Sequence, residues 1–383
     1  MSTGPLCGLK VLELAGLGPA PFAAMMLADM GAEVVRVDRA DQVRAGDKSV
    51  VAWDLLNRGR RSIGVDLKCA EGVEVVVRLS SQADVLIEGF RPGVMERLGL
   101  GPEIACARNP RLIYGRMTGY GQSGPLAQVA GHDIDYIALS GALEPLGRAG
   151  EKPVPPLNLV GDFGGGGMLL VAGVLAALFE RGISGRGQVI DAAMVDGSAL
   201  FTTMLHALRK LGMWPGARGE NLLDTGAPFY EVYETADQKF IAVGALEPAF
   251  FKRLLAVLGL EGDARFAAQL DRGTWPAMRL AFAQIFAQKG RAEWQALFET
   301  EDACVVPVLS PWEAAEHPHN KARQTFVSVA GTSQPAPAPR FSRTPSRIQS
   351  PPSMPGAQTD EVLSAWGFAE AELQALRAGR AIA

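Results

Sequence analysis

Short apolar runs alternate with amphipathic segments along the first 200 residues of this chain. The run Leu9–Leu14 is followed by a glycine-rich turn, by a helical pattern over Phe22–Met30 and by a second run, Glu33–Asp38. Pro21 is predicted at the first helical position, where its missing N–H costs nothing, and Gly31 just beyond the helix. A strand, a helix and a second strand within about 30 residues predict a βαβ unit.

Four further apolar runs have the composition of buried parallel strands, which carry hydrophobic residues on both faces. These predicted strands are Ser62–Asp66, Asp84–Ile87, Leu112–Arg116 and Gln188–Asp191. Helical patterns separate some of them, at Glu71–Leu79 and Met168–Phe179. Alternating strands and helices predict an α/β fold with a doubly wound sheet.

The pattern changes near residue 220. Two short strands, Tyr230–Glu234 and Phe240–Val243, flank a polar turn and predict a hairpin. The next segments predict three helices and one strand, at Ala249–Leu258, Pro276–Gln288, Arg291–Phe298 and Cys304–Leu309. Residues 334–356 contain seven prolines and predict an extended connector. Two amphipathic helices are predicted after it, at Thr359–Trp366 and Glu370–Arg377.

These changes divide the chain into five predicted parts. Residues 1–200 form the N-terminal part of a large domain, and residues 226–320 form a smaller α+β domain. Residues 201–225 and 321–356 are linkers, the second of them rich in proline. Residues 357–383 form the C-terminal helices.

Composition and charge exclude several classes of protein. Apolar residues make up 48% of the chain and charged residues 20%, which is typical of a globular protein and not of a disordered one. The formal net charge is −4 and the sequence has no long block of Lys and Arg, so we expect no nucleic-acid partner. The longest apolar run, residues 164–179, is shorter than the ~20 residues that span a bilayer, so it predicts a buried helix and no membrane span.

Glycine is more frequent than usual, with 44 residues in 383. Gly16 and Gly18 follow the first predicted strand, and Asp38 ends the second, as in a dinucleotide-binding fingerprint. Pro21 stands where that fingerprint has its third glycine. The motif is incomplete, and an NAD-dependent oxidoreductase is therefore only an alternative.

Basic residues follow several of the predicted strands. Arg36 and Arg39 lie at the end of the second strand, and Arg91 follows the fourth. The carboxyl ends of parallel strands share one edge of a sheet, so these side chains would suit a ligand with separated phosphates. Solvated surface charge is the alternative interpretation.

Two residues are candidates for acid–base chemistry. His132 follows Gly131 in a polar segment, whereas the other histidines fit structural or loop positions: His206, His317 and His319. Asp162 precedes four glycines, residues 164–167, and then a predicted helix. It is either the N-cap of that helix or part of a site where the glycines leave room for a substrate. The sequence has no GxSxG motif and no third ligand beside the paired histidines, so neither a serine esterase nor a metal site is predicted.

Eight segments, in this order, carry a resemblance to a known family. The chain resembles the racemase-type members of the family III CoA-transferase superfamily over nearly its whole length. The segments are GLKVLELAGLGPAPFAAMMLADMGAEVVRVDR, SIGVDLK, DVLIEGFRPGVMERLGLGP, RLIYGRMTGYGQSGP, AGHDIDYIALSG, PLNLVGDFGGGG, GQVIDAAMVDG and ALEPAFF. The resemblance implies a Rossmann-like large domain formed by both chain ends, a smaller inserted α+β domain, and an interlocked homodimer.

The resemblance also implies an activity, that of an isomerase interconverting the two epimers of a 2-methylacyl-CoA thioester through an enolate. His132 would serve the S face and Asp162 the other. The enolate oxygen would need hydrogen-bond donors, and backbone N–H groups near His132 and Asp133 are the candidates. Glu247 matches the family glutamate that pairs with the histidine, and a dimer partner could supply it. The alternatives are a CoA transferase with Asp162 as nucleophile and an acyl-CoA-binding relative without activity.

CoA would be part of the substrate, and no separate cofactor is expected. The contacts that the resemblance implies for it are Leu17, Arg39, Val65, Asp66, Leu67, Lys68, Gly89, Phe90, Arg91, Arg97, Gly131 and Tyr136. Relatives in animals are expected in peroxisomes and mitochondria. The C-terminal residues carry no evident peroxisomal or retention signal, so we expect a cytoplasmic protein.

Overall fold

A computed structural model describes residues 3–46 and 54–383 of the chain. Within these residues the backbone forms two compact units. Unit 1 contains the described residues up to Ser140, together with Leu157–Phe201 and Lys321–Ala383. Unit 2 contains Gly141–Pro156 and Thr202–Asn320.

Unit 1 is built on a six-stranded parallel sheet with the strand order β3-β2-β1-β4-β5-β6. The strands are β1 (Lys10–Leu14), β2 (Glu33–Arg39), β3 (Arg60–Val65), β4 (Val85–Glu88), β5 (Ile113–Thr118) and β6 (Val189–Ala193). All six agree with the strands predicted from the apolar runs, with ends displaced by at most two residues. The strand order reverses between β1 and β4, and such a switch point opens a crevice at the carboxyl ends of the strands.

Helices cover both faces of this sheet. They are α1 (Pro19–Asp29), α2 (Ala40–Ala45), α3 (Ala70–Ser80), α4 (Val94–Arg97), α5 (Pro102–Arg108), α6 (Asp133–Leu139), α7 (Leu169–Ser184), α8 (Met194–Leu200), α15 (Thr359–Ala365) and α16 (Glu370–Ala378), with a 3-10 turn at Leu55–Asn57. Successive strand residues point to opposite faces. Leu12 and Leu86 therefore pack with α3, whereas Val11 and Val85 pack with α1 and α7.

Helix α1 begins two residues earlier than the sequence predicts. Pro19, not Pro21, is the first helical residue, because Gly18 takes the N-cap position with a φ of 69°. Only glycine adopts that backbone conformation without strain. The glycine-rich turn is consequently shorter than the sequence pattern suggests.

The helix after Asp162 is also longer than predicted. A π-helix, Leu159–Met168, runs directly into α7, whereas the pattern predicts a helix over Met168–Phe179 only. The combined stretch Leu159–Ser184 has a mean hydropathy of 1.7, and it is 39% buried. By length and composition alone it fits a membrane span, which is weak evidence because core helices pass the same test.

The outer face of α7 is apolar and exposed. Val171 and Val174 are buried against the sheet, but Phe179 and Ile183 are 76% and 77% exposed. The predicted buried helix is therefore buried on one face only.

The proline-rich return segment packs along the β1–β3 side of unit 1. It contains an antiparallel hairpin of β10 (Phe326–Val329) and β11 (Thr332–Pro335), which the pattern of prolines does not predict. The Arg58 guanidinium donates to Gln334 Oε1 at 2.8 Å, and Ser62 Oγ accepts the Gly356 N–H at 2.7 Å. Near the end of the chain, Ile382 bridges to Val65 of β3. Both ends of the chain thus build unit 1.

Unit 2 has a three-stranded antiparallel sheet with the order β7-β8-β9. Its elements are α9 (Thr203–Lys210), β7 (Tyr230–Glu234), β8 (Phe240–Gly244), α10 (Pro248–Leu258), a 3-10 turn (Ala264–Phe266), α11 (Trp275–Phe286), α12 (Arg291–Phe298), β9 (Val305–Pro307) and α13 (Pro311–Ala314), with α14 (Pro318–Ala322) at its boundary. Residues 141–156, predicted within the large domain, pack in unit 2. The Arg148 guanidinium reaches the buried carboxylate of Glu231 at 2.5 Å and holds this segment there.

Candidate active site

A cavity of about 380 Å³ opens in unit 1 at the carboxyl ends of β1, β4 and β5. This is the switch point of the strand order, where open α/β sheets bind their ligands. Eight of the residues predicted as catalytic or CoA-binding line it: Leu17, Gly89, Phe90, Arg91, Gly131, His132, Tyr136 and Asp162. Segments far apart in sequence are thus brought to one place.

His132 lies at the N-terminus of α6, with an exposed side chain. Its own backbone N–H donates to Asp135 Oδ2 at 2.9 Å, in the manner of a capping box. This bond fixes the backbone entering the helix and leaves the imidazole to the cavity. The backbone N–H of His132 is therefore already engaged, so it is not a donor for a substrate oxygen.

Tyr136 fixes the loop on the same side of the cavity. Its hydroxyl donates to the carbonyl oxygen of Gly131, and its ring meets that of Tyr120 edge-on at 4.9 Å. A Cβ added at Gly119 would collide with the Tyr136 ring. Burial raises the pKa of Tyr136 to about 12, so its hydroxyl stays a neutral donor. Gly119 and Gly131 thus make room for a protein side chain.

Asp162 lies inside the π-helix, at the other side of the cavity. Its Oδ2 accepts a hydrogen bond from Asn158 Nδ2 at 3.1 Å, and its backbone N–H donates to Asp133 Oδ2 at 2.7 Å. Burial raises the pKa of the Asp162 carboxyl; the Asn158 bond and the His132 charge oppose this, while the Asp133 charge adds to it. A raised pKa keeps the carboxyl protonated to a higher pH than that of an ordinary aspartate.

Asp133 joins the two candidate residues. It follows His132 in the chain, is buried, and anchors the backbone at Asp162 through its Oδ2. Its Oδ1 is buried and has no hydrogen-bond partner among the residues that the structure describes.

Asn158, four residues before Asp162, is a site residue that the sequence analysis missed, because the sequence predicted no helix there. In a helix this spacing places two side chains on one face.

The glycines after Asp162 serve packing and not the approach of a substrate. A Cβ on Gly165 would lie 2.7 Å from the backbone nitrogen of Ser198, and one on Gly166 would lie 2.9 Å from Met194 Cγ. A Cβ on Gly167 would lie 2.6 Å from the Phe22 ring. The expectation that these glycines leave room for a ligand is therefore wrong, because α1 and α8 fill that space.

The structure disfavours the dinucleotide alternative. A Cβ on Gly18 would lie 3.1 Å from Asp162 Oδ2, so a carboxylate stands where a pyrophosphate would meet the turn. Asp38, the candidate ribose ligand, is buried and accepts hydrogen bonds from Arg36 Nε at 2.7 Å and from Ser62. Neither feature suits NAD.

The remaining predicted CoA contacts lie outside the cavity, at other carboxyl ends of the same sheet. Arg39 forms an ion pair with Asp41 at 2.6 Å, and Lys68 lies 3.7 Å from the same carboxylate. Val65, Asp66 and Leu67 continue from β3, while Arg97 ends α4 with an exposed side chain. Their role toward CoA stays a prediction.

Glu247 lies in unit 2, where it is exposed at the N-terminus of α10. Its pairing with the histidine stays a prediction. His206 is exposed on α9, and His317 lies 3.2 Å from Gln295 Nε2. Within residues 3–46 and 54–383, no group of three His, Cys, Asp or Glu side chains has the arrangement of a metal site.

Comparison with known proteins identifies the family of this chain. The family model of CoA-transferase family III matches residues 6–359, and the chain belongs to this family. The chain is 49% identical over 380 residues to alpha-methylacyl-CoA racemase of Mus musculus. This alignment covers 98% of this chain and 97% of the relative. The Homo sapiens protein of the same name is 48% identical with the same coverage.

A solved structure shows the same fold. The crystal structure of a CAIB/BAIF family protein from Brucella suis aligns with a TM-score of 0.81 at 26% identity. The alignment covers 95% of this chain and all of that one. The family resemblance stated from the sequence is thereby confirmed.

Proposed function

We propose that this protein is an isomerase that interconverts the (2R)- and (2S)-epimers of 2-methylacyl-CoA thioesters. The observation that carries the proposal is that His132 and Asp162 line one cavity. The relatives named as racemases, at 49% and 48% identity over almost the whole chain, support the same activity.

The chemistry requires two groups on opposite sides of one carbon. The proton α to a thioester carbonyl is weakly acidic, and its removal gives an enolate. One group removes the proton and a second returns a proton from the other side. A histidine and a carboxylate whose pKa is raised by burial can serve as this pair, one acting as the base and the other as the acid. We assign the S face to His132 and the R face to Asp162.

The enolate oxygen needs a hydrogen-bond donor. Because the N–H of His132 is bound by Asp135, the backbone N–H of Asp133 is the candidate. The first N–H groups of a helix have no acceptor within the helix, so that donor is not committed to α6. Such preorganised donors are often worth about 3 kcal/mol in the transition state.

CoA would extend from the cavity along the carboxyl edge of the sheet. Arg91 lines the cavity, and Arg39 and Lys68 follow at the ends of β2 and β3. Cations at several strand ends suit the separated phosphates of CoA. CoA enters as part of the substrate, and the proposed reaction needs no other cofactor.

The proposal includes an interlocked homodimer in which Glu247 of one subunit pairs with His132 of the other. The exposed apolar residues of α7, Phe179 and Ile183, support an interface, because large exposed apolar patches commonly mark association sites. Light scattering coupled to size-exclusion chromatography tests this point. A monomer at micromolar concentration would contradict it.

Deuterium incorporation tests the activity. A single epimer of a 2-methylacyl-CoA incubated in deuterated water is expected to gain one α-deuterium and to become a mixture of epimers. If instead no α-exchange occurs and CoA passes to an added free carboxylate, the isomerase is refuted and a CoA transferase with Asp162 as nucleophile is supported. CoA binding without either reaction would indicate a non-catalytic acyl-CoA-binding protein.

A further inference from the structure

A buried ion pair lies behind the cavity loop that follows β4. Glu88, the last residue of β4, is fully buried and lies opposite Arg116 of β5 in the strand register. Glu88 Oε1 accepts from Arg116 Nε at 3.0 Å, and Glu88 Oε2 accepts the backbone N–H of Phe90 at 2.7 Å. One carboxylate thus joins the sheet to the second residue of the loop.

The same guanidinium also reaches the far end of this loop. Arg116 Nη1 and Nη2 donate to the two carboxylate oxygens of Glu96 in α4, at 2.8 and 3.3 Å. Residues 89–93 lie between Glu88 and α4. Arg116 therefore connects both flanks of the loop through two carboxylates. Because the guanidinium is planar and donates two parallel bonds to Glu96, it fixes the orientation of that carboxylate as well as its distance.

Stability alone is a poor explanation for this arrangement. Burial raises the pKa of Glu88, against the opposing effects of the Phe90 N–H and Arg116, so its ionised form is held at an energetic cost. Buried ion pairs often contribute little net stability, whereas removing one partner leaves an unpaired buried charge. What the pair does secure is the shape of a loop whose residues line the cavity and carry the exposed Arg91.

We propose that Glu88 and Arg116 are positioning residues, which hold residues 89–93 in the shape that receives the CoA part of the substrate. The inference rests on the proposed function, because it takes CoA as the ligand of this loop. Neither side chain touches the reacting carbon; both act through the backbone of the loop.

The chain offers a matched control at the opposite end of the same strand. Asp84 precedes β4, accepts from Arg181 Nη2 at 2.9 Å and also accepts the backbone N–H of Lys10 at 2.9 Å. This pair repeats the hydrogen bonding of Glu88 and Arg116, with a partly exposed carboxylate, at the edge of the sheet away from the cavity. If the Glu88 pair has a purely structural role, breaking either pair is expected to change CoA affinity to a similar extent.

Calorimetric binding of free CoA to the full chain and to the variants Glu88→Gln and Asp84→Asn separates the two roles. Glutamine has only one acceptor oxygen, whereas the carboxylate of Glu88 accepts from both Arg116 and the Phe90 N–H. Glu88→Gln is therefore expected to weaken CoA binding roughly tenfold. Asp84→Asn is expected to stay within about twofold of the unmodified protein. In racemisation assays, Glu88→Gln is expected to raise KM by the same factor and to change kcat much less. Unchanged CoA affinity in Glu88→Gln, or an equal loss in both variants, would overturn the proposal.

A second pair of variants keeps the test decisive if Glu88→Gln does not fold. Arg116→Lys keeps the charge but loses the two-pronged bond to Glu96, and it is expected to weaken CoA binding about threefold. Arg181→Lys is its control, expected to bind CoA normally; equal affinities in these two variants would refute the proposal. If the unmodified protein binds CoA but does not racemise 2-methylacyl-CoA, the proposed function is refuted. The CoA affinities of the variants still decide whether Glu88 and Arg116 position the loop. If the unmodified protein does not bind CoA, both fail.

Discussion

The two segments that carry the candidate acid and base are held in opposite ways. His132 extends from the start of a short helix, with an exposed side chain and one backbone bond that fixes its position. Asp162 is half-buried in a π-helix whose glycines press against α1 and α8. The histidine is placed by local hydrogen bonding alone, whereas the aspartate is placed by the packing of three helices in addition to its hydrogen bonds with Asn158 and Asp133.

The difference predicts how each segment responds to substitution. A change at His132 removes a chemical group and little else. A side chain added at a buried glycine of the π-helix disturbs the fold before it disturbs the chemistry, because there is no room for it there. π-helical turns are uncommon and are often found at functional sites, where such packing maintains them.

The largest expected effect is on the activity of His132→Ala. Loss of a positioned acid–base group is expected to lower racemisation about 10²- to 10⁴-fold. The side chain is exposed, so the free energy of unfolding is expected to stay within about 0.5 kcal/mol of the unmodified protein. Epimer ratios over time and urea unfolding measure the two quantities. Near-normal racemisation would refute the assignment of His132.

Next in size is the effect of Gly197→Ala on stability. The added methyl group would collide with the backbone carbonyl of Gly165 in the π-helix, where neither side can move cheaply. We expect a loss of about 3 kcal/mol in the free energy of unfolding, the upper part of the range for overpacking. Urea unfolding measures it.

Gly182→Ala in α7 is the matched control for Gly197→Ala. A Cβ there meets no atom within 4 Å, so alanine is expected to stabilise the helix by roughly 0.5–1 kcal/mol. Equal stability of the two variants would contradict the packing account of the π-helix.

A smaller effect is expected from Asn158→Ala, on the pH dependence of racemisation. The Asn158 amide stabilises the ionised carboxylate, so its removal is expected to raise the pKa of Asp162 further. With the (2R)-epimer as substrate, Asp162 must be ionised to take the proton. The acidic limb of the kcat/KM profile is then expected to move to higher pH. Asn109→Ala, which loses bonds to the Ser80 and Ala83 carbonyls instead, is the control, and an unmoved limb in Asn158→Ala would count against the role of Asp162 as base.

The smallest expected effect is a gain in stability for Asp162→Asn at neutral pH. Burial raises the folded-state pKa of Asp162, so the folded protein prefers the protonated acid and loses stability as the pH rises through that pKa. The neutral amide removes this loss. The difference is expected to vanish below about pH 3, where the carboxyl is protonated in the folded and unfolded states alike. Urea unfolding at both pH values tests the sign, and a less stable variant at neutral pH would reverse it.

The sequence alone predicts much of the fold because the responsible signals are local. Buried parallel strands appear as apolar runs, and all six strands of the large sheet were identified in this way. The hairpin of β7 and β8 and the helix Arg291–Phe298 were also predicted with nearly their observed bounds. The hairpin of β10 and β11 was missed, because its flanking prolines favour an irregular connector.

The sequence by itself determined the alternation of strands and helices and, through its motifs, the family and the two candidate residues His132 and Asp162. Only the tertiary structure decided that these two residues share a cavity, that Asn158 and Asp133 hold the aspartate, and that the glycines serve packing. It also revealed the pair Glu88–Arg116 behind the cavity loop. The physical reason is range: hydrophobic periodicity and turn preferences act over a few neighbouring residues, whereas most of these contacts join segments tens to more than a hundred residues apart and exist only after the sheet has assembled.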